Sequence, residues 1–119
     1  MNDRSRQARG RWGEDRAVRM LERAGHRVLD RNWRSPEREV GGELDIVSVD
    51  GAVVVFCEVK ARRRAGHGGA LAAVDDGKQD RIRRLAESWL RLHRRHDVDV
   101  RFDVVTVVGV TLEHHRSVF

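Results

Sequence analysis

The sequence predicts one α/β domain in which a mixed β-sheet is flanked by helices, in the order α-β-β-β-α-β. Three observations predict it. Two stretches carry apolar residues at helical spacing, Val18, Leu21 and Ala24 in one and Ile82, Leu85, Ala86, Trp89 and Leu92 in the other. Two more, Ala52 to Ala61 and Val98 to Val110, are apolar, rich in valine and of strand length. Asp50-Gly51 stands between two apolar runs, which is the strongest short hairpin signal. A length of 119 residues suits one hydrophobic core and leaves little for a second.

Residues 1–10 are polar, basic and aperiodic and read as a flexible arm, so the domain proper is expected over 11–119. The first helix is expected from about Arg11 to Ala24, with Gly25 where a C-terminal cap belongs. His26 to Arg34 reads as a short strand, and Ser35 to Gly42, with the only proline, as a turn. Glu43 to Val49 and Ala52 to Ala61 form the hairpin. Arg62 to Ala70, with three arginines and three glycines, reads as a basic loop. A long helix is expected from Asp76 to about Arg94, followed by a strand at Val98 to Val110 and an edge strand in the last nine residues.

Composition narrows the function classes. No apolar run approaches the roughly 18 residues of a membrane span, and no apolar h-region follows the basic N-terminus, so a cytoplasmic protein without a membrane partner is expected. Cys57 is the only cysteine, which excludes an intrachain disulfide and the paired cysteines of a structural zinc site. The net charge of +5 is segregated: residues 1–34 hold ten basic and five acidic side chains, 35–60 two and six, 61–97 ten and five, and 98–119 two and three. An acidic island between basic stretches is the pattern of a cation-holding carboxylate site set in a surface that attracts phosphates.

The island contains the residues suited to chemistry. Side chains alternate along a strand, so Val53, Val55, Cys57 and Val59 share one face and Val54, Phe56, Glu58 and Lys60 the other. A carboxylate and an ammonium ending an apolar run are costly to bury unless paired or liganded, so this strand end should open onto a site. Asp45, between Leu44 and Ile46 in the partner strand, adds a second acid. Two carboxylates suit Mg²⁺ or Mn²⁺, and a lysine beside them can orient or deprotonate water and offset charge on a phosphate. Glu14, four and seven residues before Val18 and Leu21, is in line with the helix stripe; it is either a further metal ligand or a first-turn glutamate favoured by the helix dipole.

Asp76 and Gln79 have capping-box spacing, which competes with a nucleic-acid contact for Gln79. Lys78 opposes the helix dipole in a first turn, so an anion is expected beside it, with a backbone phosphate the natural candidate. Lys60 and Lys78 are the only lysines among 24 basic residues. Arg62, Arg63 and Arg64 follow the strand, and phosphate contact is expected of at least one of them. Trp12 and Trp33 have the rings to stack on bases, whereas Trp89 and Cys57 read as core, and the histidines lack the third ligand of a zinc site.

Gly13-Glu14, the run Gly42-Glu43-Leu44-Asp45-Ile46-Val47, Phe56-Cys57-Glu58-Val59-Lys60 with Arg62, then Lys78 and Arg101-Phe102-Asp103-Val104-Val105 together resemble the YraN-like family of bacterial proteins, within the PD-(D/E)XK nuclease superfamily, over residues 10–108. The resemblance implies a restriction-endonuclease-like core similar to that of archaeal Holliday-junction resolvases. It implies Asp45 and Glu58 as metal ligands, Glu14 as an accessory ligand and Lys60 as the catalytic lysine. The motif's proline is absent, since Leu44 precedes Asp45. The function expected is Mg²⁺- or Mn²⁺-dependent hydrolysis of DNA phosphodiester bonds, with a non-catalytic nucleic-acid-binding module as the alternative. The pairing of resolvase-like relatives leaves a homodimer open.

Overall fold

The structure is a computed structural model and describes residues 3–62 and 74–119. Its elements are α1 (Asp3–Arg23), β1 (Arg27–Trp33), β2 (Leu44–Asp50), β3 (Val53–Arg62), α2 (Asp76–Leu92), β4 (Asp99–Val108) and β5 (Thr111–His115). The five strands form one sheet in sequence order, antiparallel throughout except where β3 lies parallel to β4. The chain therefore follows α-β-β-β-α-β-β, as expected, with the edge strand realised as β5. Among the described residues no helix is long and apolar enough to cross a membrane.

α1 starts at Asp3 rather than near Arg11, so most of the expected arm is helical backbone. Residues 3–23 contain no proline, and their arginines, glutamine and alanines are good helix formers, so nothing stops the helix earlier. The buried stripe also differs from the expected one. It runs Gly13, Ala17 and Leu21, while Ala24 is exposed beyond the helix. Gly13 explains the shift, because a Cβ there would already lie 3.6 Å from Val107 and 3.8 Å from Val59, and its absence lets α1 approach the sheet on this side. Gly25 ends the helix as expected: at φ 97°, it lets its own N–H bond Glu22 O and the His26 N–H bond Leu21 O, the paired bonds of a Schellman cap.

β3 is the central strand, and its near-continuous apolar run follows from burial on both faces. On one face Ile46, Cys57 and Val105 pack against Ala17 and Leu21 of α1. On the other Val47, Val54, Phe56 and Val104 pack against Ile82, Leu85 and Trp89 of α2. Phe56 and Trp89 meet edge to face with ring centres 5.8 Å apart. The expected alternation of faces along β3 is thus the division between the two layers.

On the α1 face, opposite the face that carries Glu58 and Lys60, lies a buried polar cluster. Asp103 is fully buried and accepts bonds from Arg101 Nε at 2.9 Å, His114 Nε2 at 2.7 Å and the Ser117 N–H at 3.0 Å. Burial pushes its carboxyl up, but these donors outweigh burial and hold it down at about 2. Next to it, His26 shares a 2.9 Å bond with Ser48 Oγ. Burial lowers the affinity of His26 for a proton, and His114 and Arg101 lower it further against the pull of Asp50. A depressed histidine stabilises the fold above the ordinary value of 6.5 and withdraws that stability as pH falls below it. The His26→Gln protein should therefore melt lower than wild type at pH 7.5, by about 1–3 kcal/mol for the disturbed buried bond, with the gap narrowing toward pH 5. Paired melting curves across that range check it; a constant gap would remove His26 as the cause.

Candidate active site

The register of the β2–β3 hairpin decides where the site opens. Pairing runs from Asp50 opposite Val53 to Ile46 opposite Cys57 and stops there, so the strands part at Asp45 and Glu58. Parting leaves the Val59 N–H without a strand partner, and the Asp45 carboxylate takes its place at 2.9 Å. Asp45 is thereby fixed by the backbone of the strand that carries Glu58. The two acids lie within hydrogen-bond reach of each other.

Electrostatics at this end are opposed in sign. Burial raises the Glu58 carboxyl, and the charge and hydrogen bond of Asp45 raise it further, to about 10, against the pull of Lys78 and Arg81. Metal-free, Glu58 keeps its proton at neutral pH. Lys60 follows on the same face, half-buried, with the Lys78 amine beside it. That contact, burial and the Lys78 charge lower its proton affinity, against the pull of Glu58 and Asp45. A pair of acids thus adjoins a pair of lysines.

Glu14 approaches from the α1 side. Together with Gly13, Asp45, Val59 and Val107 it lines a cavity of about 160 Å³. Burial and then the Asp45 charge raise its carboxyl, while a hydrogen bond with Asn32 and the Arg31 charge oppose them. Its Oε1 is buried without a hydrogen-bond partner among the described residues, and the Arg31 guanidinium stands 3.8 Å away. Among the described residues no three histidine, cysteine or acidic side chains form a closed cage for a metal ion, so Glu14 neighbours the Asp45–Glu58 pair without completing it.

The cap of α2 is corrected from Asp76 to Asp75. Asp75 holds the extended backbone of a cap, at φ −72° and ψ 171°, and its Oδ1 accepts the Lys78 N–H at 2.9 Å. Gln79 consequently forms no capping box; its Nε2 donates to Val74 O at 3.0 Å. That bond ties the chain entering the helix to its first turn. Arg62 is half-buried at the end of β3. Arg63 and Arg64 lie outside the described residues. Trp33 packs at the rim of the α2-side core and Trp12 is 39% exposed, while Trp89 and Cys57 are core residues as expected. Burial pushes the Cys57 thiol up, so it is not a nucleophile.

Arg81 and Asn32 escaped the sequence reading. Arg81, one turn beyond Lys78, had a signal in its spacing. Asn32 had none beyond its residue type, which tolerates the left-handed backbone it adopts at φ 52°.

The model of "Uncharacterised protein family UPF0102" matches residues 13–107. The chain belongs to UPF0102. This is the YraN-like family of the PD-(D/E)XK superfamily whose motifs the sequence carries. The chain is similar to a UPF0102 protein of Frankia alni, 50% identical with 98% of each chain covered. It is also similar to one of Streptomyces griseus, 47% identical over 96% of this chain and 98% of the other. A third, of Rhodococcus opacus, is 45% identical over 94% and 96%. The UPF0102 match begins at Gly13, the residue that seats α1, and takes in Glu14, Asp45, Glu58, Lys60 and Lys78.

Proposed function

We propose that this chain is a nuclease that hydrolyses phosphodiester bonds of DNA with Mg²⁺ or Mn²⁺, the ion held by Asp45 and Glu58 with Glu14 as an accessory ligand. One observation carries the reading: the carboxyl groups of Asp45 and Glu58, within reach of each other, adjoin the amines of Lys60 and Lys78 at the same strand end. Bringing two like groups this close costs free energy whenever both are charged. A cation relieves the acids and a phosphate relieves the lysines, so a metal-bound phosphodiester satisfies both at once. The donor set fits a hard divalent ion, being all carboxylate, and the orphaned Glu14 Oε1 supplies a further oxygen.

A bound ion would polarise the phosphate and make its water acidic. The chain's own residues do the rest. Asp45, fixed to the Val59 N–H, sets the position of Glu58. Lys60, with its proton affinity lowered by Lys78, takes a proton from the attacking water. Lys78 stands beside the phosphate oxygens, and the oxygen released when the P–O bond breaks takes its proton from solvent.

Gel assays of the protein against branched, single-stranded and duplex DNA with Mg²⁺, Mn²⁺ or EDTA test this. Cleavage of at least one form with metal and none with EDTA is the expected result. Binding without cleavage of any form would make the chain a nucleic-acid-binding module, and failure to bind would end the nucleic-acid reading.

A further inference from the structure

A second cavity adjoins the acid–lysine cluster along α2. It measures about 310 Å³ and is lined by Glu39, Val40, Gly41, Gly42, Arg81 and Arg84. Lys78, Arg81 and Arg84 recur at every third position of α2, so they form one row with roughly 5–6 Å between neighbouring Cβ atoms. Ile82, Leu85 and Ala86 are buried and fix that row's orientation.

Arg81 joins the two places. Its charge acts on Glu58, and its side chain lies across Gly42, where a Cβ would come within 3.0 Å of Arg81 Cδ and 3.3 Å of Leu85 Cδ1. Gly42 also holds a left-handed backbone at φ 96°, so the floor of the cleft is backbone without a side chain. Three other arginines of α2 and its end are engaged: Arg83 lies over Phe102 and Phe119, Arg91 bonds Glu37, and Arg95 lies over Trp89. Among the described residues Arg81 and Arg84 form no ion pair, and neither does Glu39 beside them.

We propose that this cleft is a phosphate subsite for the strand cut at the neighbouring site. A nucleic-acid strand leaving Lys60 and Lys78 runs along α2, its next phosphates on Arg81 and Arg84, over the bare backbone of Gly41 and Gly42. The proposal rests on the nuclease reading and adds a direction and a minimum length for the substrate. Glu39 is the one carboxylate in the path, and it opposes the strand.

Fluorescence anisotropy with labelled single-stranded oligonucleotides of increasing length, in EDTA over a series of salt concentrations, tests it. Arg84→Gln should weaken binding of long oligonucleotides on the order of tenfold and flatten the slope of log K against log salt by about 0.7–0.9. It should leave a dinucleotide, too short to reach the cleft, unaffected. Glu39→Gln should tighten the long oligonucleotides, the opposite sign. Gly42→Ala should mimic Arg84→Gln; because it strains the backbone, the two exposed-residue variants decide the matter if it does not fold. Wild-type binding that Arg84→Gln and Glu39→Gln leave unchanged in affinity and slope would overturn the subsite and leave the nuclease reading standing. A wild type that binds no oligonucleotide would overturn both. Competition by polyglutamate as effective as by DNA of equal charge would also overturn the subsite, since it would mark an unspecific anion surface.

Discussion

Lys60→Ala should keep its fold and its Mn²⁺ affinity and lose on the order of 10²- to 10⁴-fold in the rate of DNA cleavage, the usual contribution of one positioned acid–base group. The side chain is half-buried at the end of β3, after the core positions of that strand, so truncation leaves the packing of Phe56 and Trp89 untouched. It also leaves the Asp45–Glu58 contact and the bond from the Val59 N–H to Asp45 in place. Single-turnover cleavage and calorimetric Mn²⁺ titration of the same preparation separate chemistry from metal binding. If the variant cuts as fast as wild type under the same metal conditions, Lys60 is not catalytic and the mechanism proposed here is wrong.

Glu58→Gln should show the second large effect, a protein that no longer binds Mn²⁺ and yet is more stable than wild type in EDTA. The sign follows from the raised carboxyl. A group whose folded value is about 10 against an ordinary 4.5 contributes its full stability below 4.5 and loses it as pH rises toward 10. At pH 8 the folded chain must therefore hold a proton that the unfolded chain has released. Glutamine keeps the hydrogen bond to Asp45 and needs no such proton. The gain should be at least about 1 kcal/mol at pH 8, a rise of roughly 4 °C in melting temperature, and should shrink toward pH 5. Asp45→Asn should lose Mn²⁺ as well. A Glu58→Gln protein that melts below wild type at pH 8, or that titrates Mn²⁺ normally, would contradict the account of the carboxylate pair.

Local signals carried much of this arrangement. Asp50-Gly51 identified the hairpin, and strand alternation put Glu58 and Lys60 on one face and Cys57 on the other, as found. Lys78 was visible because a cation in a first helical turn opposes the dipole, and the structure brings it against Lys60. What escaped depends on the end of a register or on distant partners. That pairing stops at Ile46, freeing the Val59 N–H for Asp45, is a matter of strand register, which no window of residues contains. The α1 stripe was read as Val18, Leu21 and Ala24 instead of Gly13, Ala17 and Leu21 because Gly13 contributes no apolar side chain; its effect is a missing Cβ against Val59 and Val107. Asp103 and His26 were opaque for the same reason, since their partners lie up to 75 residues apart along the chain.

The strand order β1-β2-β3-β4-β5 has a consequence for how the molecule assembles. Three of its four strand pairings join neighbours across short connections, while the parallel β3–β4 pairing must close a long loop that includes α2. Closing a longer loop costs more chain entropy before any contact offsets it, so the crossover is the slow event in a sheet that is otherwise a meander. Asp45, Glu58 and Lys60 belong to the early, local part; Lys78, Arg81 and Arg84 arrive with the crossover. A chain caught between the two stages would already bring Asp45 and Glu58 together but lack Lys78, Arg81 and Arg84 beside them.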